Sequence, residues 1–223
     1  MDESAILQKM RQDWDQRARE NARYYVATCQ EKWTDEEFFH SGELAVKQDI
    51  LNDMINICQG KAPSDMRVLE IGSGAGRVTR ALSKVFGEVH GVDVSGEMVE
   101  QARRALADRT NAWVYQNNGK DLSALPDGMQ FDFAYSTIVF QHIPSREVIE
   151  TYVREVHARL HPGALFKFQV QGNPQVQSSP DDTWLGVAFT DEQAVDMAMR
   201  SGFDPRYRHG AGSQYFWLWF FKK

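Results

Sequence analysis

The chain has 223 residues, 42% hydrophobic and 25% charged, which is enough for one α/β domain with a buried core and short additions but not for two full domains. A net charge of −6 argues against a large phosphate-binding surface, and so against duplex DNA or RNA as a partner. Cys29 and Cys58 lack metal-ligand spacing and exclude a disulfide scaffold, and no apolar run has transmembrane length or the form of a leader, so a cytoplasmic protein without a membrane partner is expected.

Ile6, Leu7, Met10, Trp14, Ala18 and Tyr25 recur at steps of three or four, which predicts an amphipathic N-terminal helix. Thr34-Asp35-Glu36-Glu37 has the form of a capping box, opening a second helix that breaks at Ser41-Gly42 and resumes from Leu44 to Ile57. Residues 1–64 therefore read as a helical cap. Its aromatic side chains either cover one edge of a sheet or close over a substrate as a lid.

Strands then alternate with helical patterns: Met66 to Ile71, a helix to Phe86, a strand to Asp93, a helix to Ala107, and strands at Ala112 to Gln116 and Phe131 to Thr137. That alternation is the mark of an α/β fold with a parallel sheet. A helix over 146–160 stops at His161-Pro162-Gly163, with the next strand at Ala164 to Val170. Thr190-Asp191-Glu192-Gln193 caps a last helix that ends near Ser201-Gly202. Phe203 to His209 turns through Gly210-Ala211-Gly212 into Tyr215 to Phe221, an antiparallel hairpin. The final segment is apolar at every position, so it belongs inside the sheet, buried on both faces.

The most informative stretch is Val68-Leu69-Glu70-Ile71-Gly72-Ser73-Gly74-Ala75-Gly76-Arg77, an apolar strand running through a glycine-rich turn into a helix. Such a turn lets a ligand approach main-chain N–H groups. The glycines alternate, and Arg77 fills the slot of the third dinucleotide glycine. The next strand ends in Asp93, about 20 residues beyond Gly72, where a carboxylate comes beside a bound ribose. Asp93 also reads as an acid at a helix N-terminus, needing no ligand.

The pattern E-x-G-x-G-x-G resembles motif I of class I S-adenosylmethionine-dependent methyltransferases, and the terminal apolar strand resembles that fold's seventh strand. The resemblance covers residues 66–223. It implies a seven-stranded, mainly parallel, Rossmann-like sheet with an antiparallel C-terminal strand, flanked by helices, over residues 65–223. It also implies S-adenosylmethionine as cofactor, held by Glu70, Gly72, Ser73, Gly74, Gly76, Arg77 and Asp93. Val94 and Met98 become adenine contacts, although Met98 alone reads as core. In Asn117 to Leu122, Asp121 would accept from the exocyclic amine and the Leu122 N–H would donate to a ring nitrogen, with Asn118 as substitute for the acid. A plain polar loop is the alternative.

Strand four ends in Ser136-Thr137, where a magnesium-dependent catechol-type site would need a carboxylate, and Ser136 joins the cofactor candidates. The Asn-Pro-Pro-Tyr signature and the nucleophilic Pro-Cys of other subclasses are absent, leaving a pattern similar to small-molecule enzymes of the ubiquinone, sugar and amine group. His142 is the catalytic candidate, since the unperturbed pKa of a histidine suits a base for a hydroxyl or ammonium nucleophile; alternatively it hydrogen-bonds backbone and holds the cofactor loop. Arg77 would pair with the methionine carboxylate or, as the favoured reading, with Glu70. Gln141, Gln169 and Gln171 could orient a polar acceptor, and Trp184 forms a substrate wall or packs. His40, His90, His157, His161 and His209 show no ligand spacing. The expectation is metal-independent methyl transfer to an oxygen or nitrogen of a small-molecule acceptor, with oligomeric state open. Its alternatives are an NAD(P)-dependent reductase, opposed by the Gly76-Arg77 spacing and the terminal strand, and a non-catalytic S-adenosylmethionine-binding protein.

Overall fold

A computed structural model describes residues 2–179, 181 and 183–223. The apolar runs form strands β1 (Arg67–Ile71), β2 (Glu88–Asp93), β3 (Ala112–Gln116), β4 (Phe131–Ser136), β5 (Leu160–Val170), β6 (Phe203–His209) and β7 (Phe216–Lys222). They pair in the order β3-β2-β1-β4-β5-β7-β6. β1 to β5 run parallel, and β7 lies antiparallel between β5 and β6, the interior place its unbroken apolar run demands. The order reverses between β1 and β4, which opens a crevice at the carboxyl ends of those strands.

Period-two alternation divides the core between the two faces of the sheet. Leu69, Ile71, Ala134, Phe166 and Phe220 pack on one face, and Val68, Phe133, Tyr135, Leu165 and Phe221 on the other. Helices α4 (Arg77–Leu82), α5 (Gly96–Ala105), α6 (Arg146–Arg159) and α7 (Asp191–Arg200) connect the strands. The Thr190 capping box forms as the sequence predicts.

The N-terminal segment supplies α1 (Glu3–Val26), α2 (Asp35–Asp49) and α3 (Met54–Cys58), and Thr34 forms its capping box with Glu37. Ile6 and Met10 join the first core cluster, and Val46, Ile50 and Ile57 the second. α1 kinks at Asn21 (φ −167°, ψ 81°), whose side-chain oxygen accepts from the Tyr24 N–H at 3.1 Å and so caps the last turn. Among the described residues no helix is long and apolar enough to cross a membrane.

Several boundaries differ from expectation, α4 among them, which ends at Leu82 and not at Phe86. α2 runs straight through Ser41-Gly42, because Gly42 stands where α2 crosses α4 and a Cβ there would lie 2.3 Å from the Arg77 carbonyl oxygen. The glycine serves close approach, and the break comes instead at Ile50, followed by a 3-10 turn over Leu51–Asp53. α6 stops at Arg159, and Leu160 already pairs with Phe131, so His161-Pro162-Gly163 is an irregular start of β5.

A buried cation anchors the end of α2 to the sheet. Lys167 on β5 is 5% exposed, its Nζ lies 2.8 Å from Asp53 Oδ2, and it stands 4.7 Å over the Trp219 ring. Trp219 Nε1 donates to the same carboxylate at 2.6 Å, and Tyr135 donates to Asp49 Oδ2 at 2.9 Å. Burial pushes the Asp53 carboxyl up, but bonds from Lys167, Trp219 and Asn56 outweigh it and hold the group below its ordinary value.

Candidate functional site

At the carboxyl ends of β1, β2 and β4 lies a cavity with an empty volume of about 870 Å³, open solvent at its mouth included. Its floor is the turn 70–74 with Asp93 and Val94, and its roof is Met10, Trp14, Tyr25 and Val26 from α1. Gly72, Gly74 and Gly76 have φ of 78°, 51° and 83°, and a Cβ on Gly72 would sit 2.0 Å from Val139 Cγ2. At Gly72 only a glycine meets both conditions.

Asp93 clamps this turn. Its Oδ2 accepts from the Gly74 N–H at 2.8 Å and its Oδ1 from the Ser95 N–H at 2.9 Å. Burial pushes its pKa up to about 6 against those two bonds. Glu70 is raised to about 7, again by burial, while Thr79 donates to its Oε2 at 2.6 Å. Ser73 Oγ and Arg77 Nε are buried without a partner. Unpaired buried polar atoms lining a cavity point to a polar ligand.

Of the sequence candidates, Glu70, Gly72, Ser73, Gly74, Arg77, Asp93, Val94 and His142 line this cavity. Gly76, Met98, Asn118, Asp121, Leu122 and Ser136 do not. Gly76 faces Ala102, its built Cβ 3.2 Å away. Met98 packs with Ala18, Ala22, Phe38 and Ala75, the core reading of that residue. Leu122 is fully buried in the main core. Asn118 Oδ1 accepts from the N–H groups of Lys120 and Asp121, and Asp121 Oδ1 accepts from the Ser123 N–H, so these oxygens serve the loop's own turn. Ser136 donates to the Ile71 carbonyl at 2.9 Å, joining β4 to β1.

Asn117 takes the place at the cavity expected of Asn118, its Nδ2 donating to the Tyr152 hydroxyl at 2.8 Å. The Arg77–Glu70 ion pair is not formed. Arg77 Nη1 reaches across to α2 and donates to the Ser41 carbonyl at 3.1 Å. A lid by the aromatic residues of the cap is one of the two readings the sequence offers; that α1 supplies the roof, together with Asn117, Tyr152 and Val139 at the cavity, is visible only in the structure.

A second cavity, about 1130 Å³ of empty volume with open solvent included, shares Tyr25, Val26, Arg77, Ile138 and His142 with the first. Gln48, Gln141, Gln171, Trp184 and Tyr215 also line it. Ile138 has φ of 54°, an uncommon state for a β-branched residue, held by its N–H donating to Gln169 Oε1 at 3.1 Å.

That bond fixes a relay. A backbone N–H can only donate, so Gln169 presents its oxygen to Ile138 and its Nε2 to Gln141 Oε1, at 2.5 Å. Gln141 Nε2 then faces His142 Nε2 at 3.3 Å, and His142 Nδ1 faces the Trp184 carbonyl oxygen at 2.6 Å. The assignment consistent at both ends puts the proton on Nδ1 and leaves Nε2 as acceptor. The imidazole also meets Trp14 edge-on at 5.3 Å and Trp184 at 5.0 Å between ring centroids.

A family model for a methyltransferase domain matches residues 68–163. Among curated proteins, 2-methyl-6-phytyl-1,4-hydroquinone methyltransferase of Synechocystis is 26% identical over 63% of this chain and 49% of its own length. Malonyl-(acyl-carrier protein) O-methyltransferase of Salmonella typhimurium is 30% identical over 69% of this chain and 58% of its own. The chain thus spans about half the length of the curated relatives it matches. Among solved structures, magnesium protoporphyrin IX methyltransferase of Synechocystis with bound SAM aligns over 100% of this chain and 98% of its own, with a TM-score of 0.68 and 12% identity. The complex of DhpI with SAH aligns over 97% and 96%, with a TM-score of 0.66 and 20% identity. At those identities the likeness speaks for the fold. Taken with the strand order and the glycine turn, the matches support a class I S-adenosylmethionine-dependent methyltransferase family for this chain.

Proposed function

We propose that the protein transfers a methyl group from S-adenosylmethionine to an oxygen of a small-molecule acceptor, without a metal ion and in the cytoplasm. The observation that carries this reading is the Asp93–Gly74 clamp across the glycine turn, beside the unpaired Ser73 hydroxyl. Asp93 is placed to accept from ribose hydroxyls, the Ser73 hydroxyl and turn amides to meet polar groups, and Val94 to flank the adenine. The residues therefore fit the cofactor, which when bound supplies a methyl group already activated on a positively charged sulfur.

The chain's own work is alignment and exclusion of water. Met10, Trp14, Tyr25 and Val26 roof the first cavity, so the cap over residues 1–64 acts as a cover that must move for exchange. β4 ends in Ser136 and Thr137 follows it at the cavity, with no carboxylate in either place, which suits chemistry without a metal. Oxygen is favoured over nitrogen by the name of the Salmonella relative, an O-methyltransferase.

His142 acts in this reading as a positioning residue. Its Nε2 accepts from Gln141, so taking an acceptor's proton would first require that amide to turn away. His142→Asn should lower kcat while leaving the pH profile of kcat unchanged; loss of a limb near neutral pH would make it a base. For the function as a whole, micromolar calorimetric binding of S-adenosylhomocysteine, about −8 kcal/mol, is expected without NADH binding. NADH binding in its place would overturn the reading.

A further inference from the structure

Arg77 is 8% exposed and lies where the two cavities meet. Nη1 is committed to Ser41, with the carbonyl at 3.1 Å and Oγ at 3.4 Å. Nε is buried without a partner, and Nη2 takes part in neither bond. Nε and Nη2 form one edge of the planar guanidinium, the edge that meets a carboxylate through two parallel hydrogen bonds. Glu70, the nearby acid, gives an oxygen to Thr79 instead, and burial favours its neutral form. A buried cation without a direct counter-charge favours an incoming anion.

Two further observations bear on the acceptor. The Trp14 and Trp184 rings, 6.3 Å apart, already flank the Arg17 guanidinium at 4.7 and 5.3 Å, so the aromatic faces that would suit an ammonium group are in use. The lone pair of His142 Nε2 is also engaged, which suits a nucleophile that arrives deprotonated.

We infer, resting on the methyl-transfer reading, that the acceptor is a small carboxylic acid whose carboxylate is held by the Nε–Nη2 edge of Arg77 and is itself methylated. One carboxylate oxygen bonds to the methyl carbon as the carbon–sulfur bond breaks, and that bond's electron pair goes to sulfur. The positive sulfonium and negative carboxylate charges cancel. The products are a methyl ester and S-adenosylhomocysteine, and no proton is released.

The test incubates the protein and methyl-labelled S-adenosylmethionine with hexanoate, benzoate and phenylacetate, and separately with the matching alcohols and amines. Label should enter the acids and return as volatile methanol on base treatment, with no acidification in weak buffer. Base-stable label in an alcohol or amine, or no transfer to any acid by a protein that binds S-adenosylhomocysteine, overturns the inference. Failure to bind S-adenosylhomocysteine strikes the underlying reading instead. With the best acid, Arg77→Met should raise KM by about 30-fold, as expected for losing a charge-assisted pair, and leave S-adenosylhomocysteine affinity within about two-fold. Arg77→Lys should recover part of the loss. A fall in S-adenosylhomocysteine affinity would assign Arg77 to the cofactor's own carboxylate and overturn its assignment to the acceptor.

Discussion

The two cavities that meet at Arg77 are held open by different means. The side proposed for the cofactor is mostly backbone: left-handed glycines, strand ends and an aspartate that ties one turn to the next. The side proposed for the acceptor is mostly side chains: a relay of two glutamines and a histidine, a strained isoleucine, and aromatic rings brought together from α1 and the loop after β5. A backbone cradle tolerates almost no substitution and fixes one ligand shape. A side-chain network can be rebuilt residue by residue, so acceptor choice can change while the cofactor stays the same.

Substitutions that separate the halves test this contrast. Gly72→Ala is expected to do the most damage, because it adds left-handed strain to a collision with Val139. A loss of about 2–5 kcal/mol by denaturant unfolding should accompany loss of S-adenosylhomocysteine binding. Retained binding would mean the turn relaxes.

The next effect is one of pH. Glu70 at about 7 and Asp93 at about 6 both lie above their ordinary 4.5 and 3.8, so the folded apo-protein holds protons that the unfolded chain releases. Their contribution is complete below those ordinary values and is lost as pH rises through 6 to 7. His90 and His157, whose burial lowers their pKa, contribute in the opposite sense, so the comparison with Glu70→Gln isolates the effect: the stability of the protein relative to the variant should fall between pH 5 and 8 by at most about 3 kcal/mol. A difference that stays constant or rises with pH would contradict the assignment.

Gln169→Leu strands the Ile138 N–H and the Gln141 oxygen, at a cost of about 1–3 kcal/mol. It should change acceptor kinetics more than S-adenosylhomocysteine affinity, and the reverse order would merge the two halves. The smallest effect belongs to Met98→Leu, under about 1.5 kcal/mol with unaltered cofactor affinity, since Met98 packs against the cap and not the cavity.

The same contrast decides what the sequence reveals. Gly72, Gly74 and Asp93 announce themselves because their chemistry depends on neighbours in the chain and on a fixed strand-turn-helix spacing. The apolar run at Tyr215 to Phe221 likewise identifies an interior strand by its lack of polar alternation, although Tyr215 is exposed ahead of β7 and Trp217 and Trp219 are half-buried. Met98, Leu122 and Asp121 do not line the first cavity, for a shared reason. Spacing brings a residue to the right loop but does not say whether its side chain turns to the ligand, the core or its own backbone. The relay from Gln169 to Trp184 and the roof by α1 depend on tertiary contacts between distant segments, which no local pattern encodes. Gly42 misled by the same route: a glycine that reads as a helix break serves a helix crossing.

The most direct measurement is calorimetric titration of S-adenosylhomocysteine into the protein and into Asp93→Ala. Micromolar binding that weakens about 30-fold or more in the variant is expected, because the aspartate holds the turn and is placed to meet the ribose. Equal affinity for both proteins, or no binding to either, would contradict the placement of the cofactor on the glycine turn.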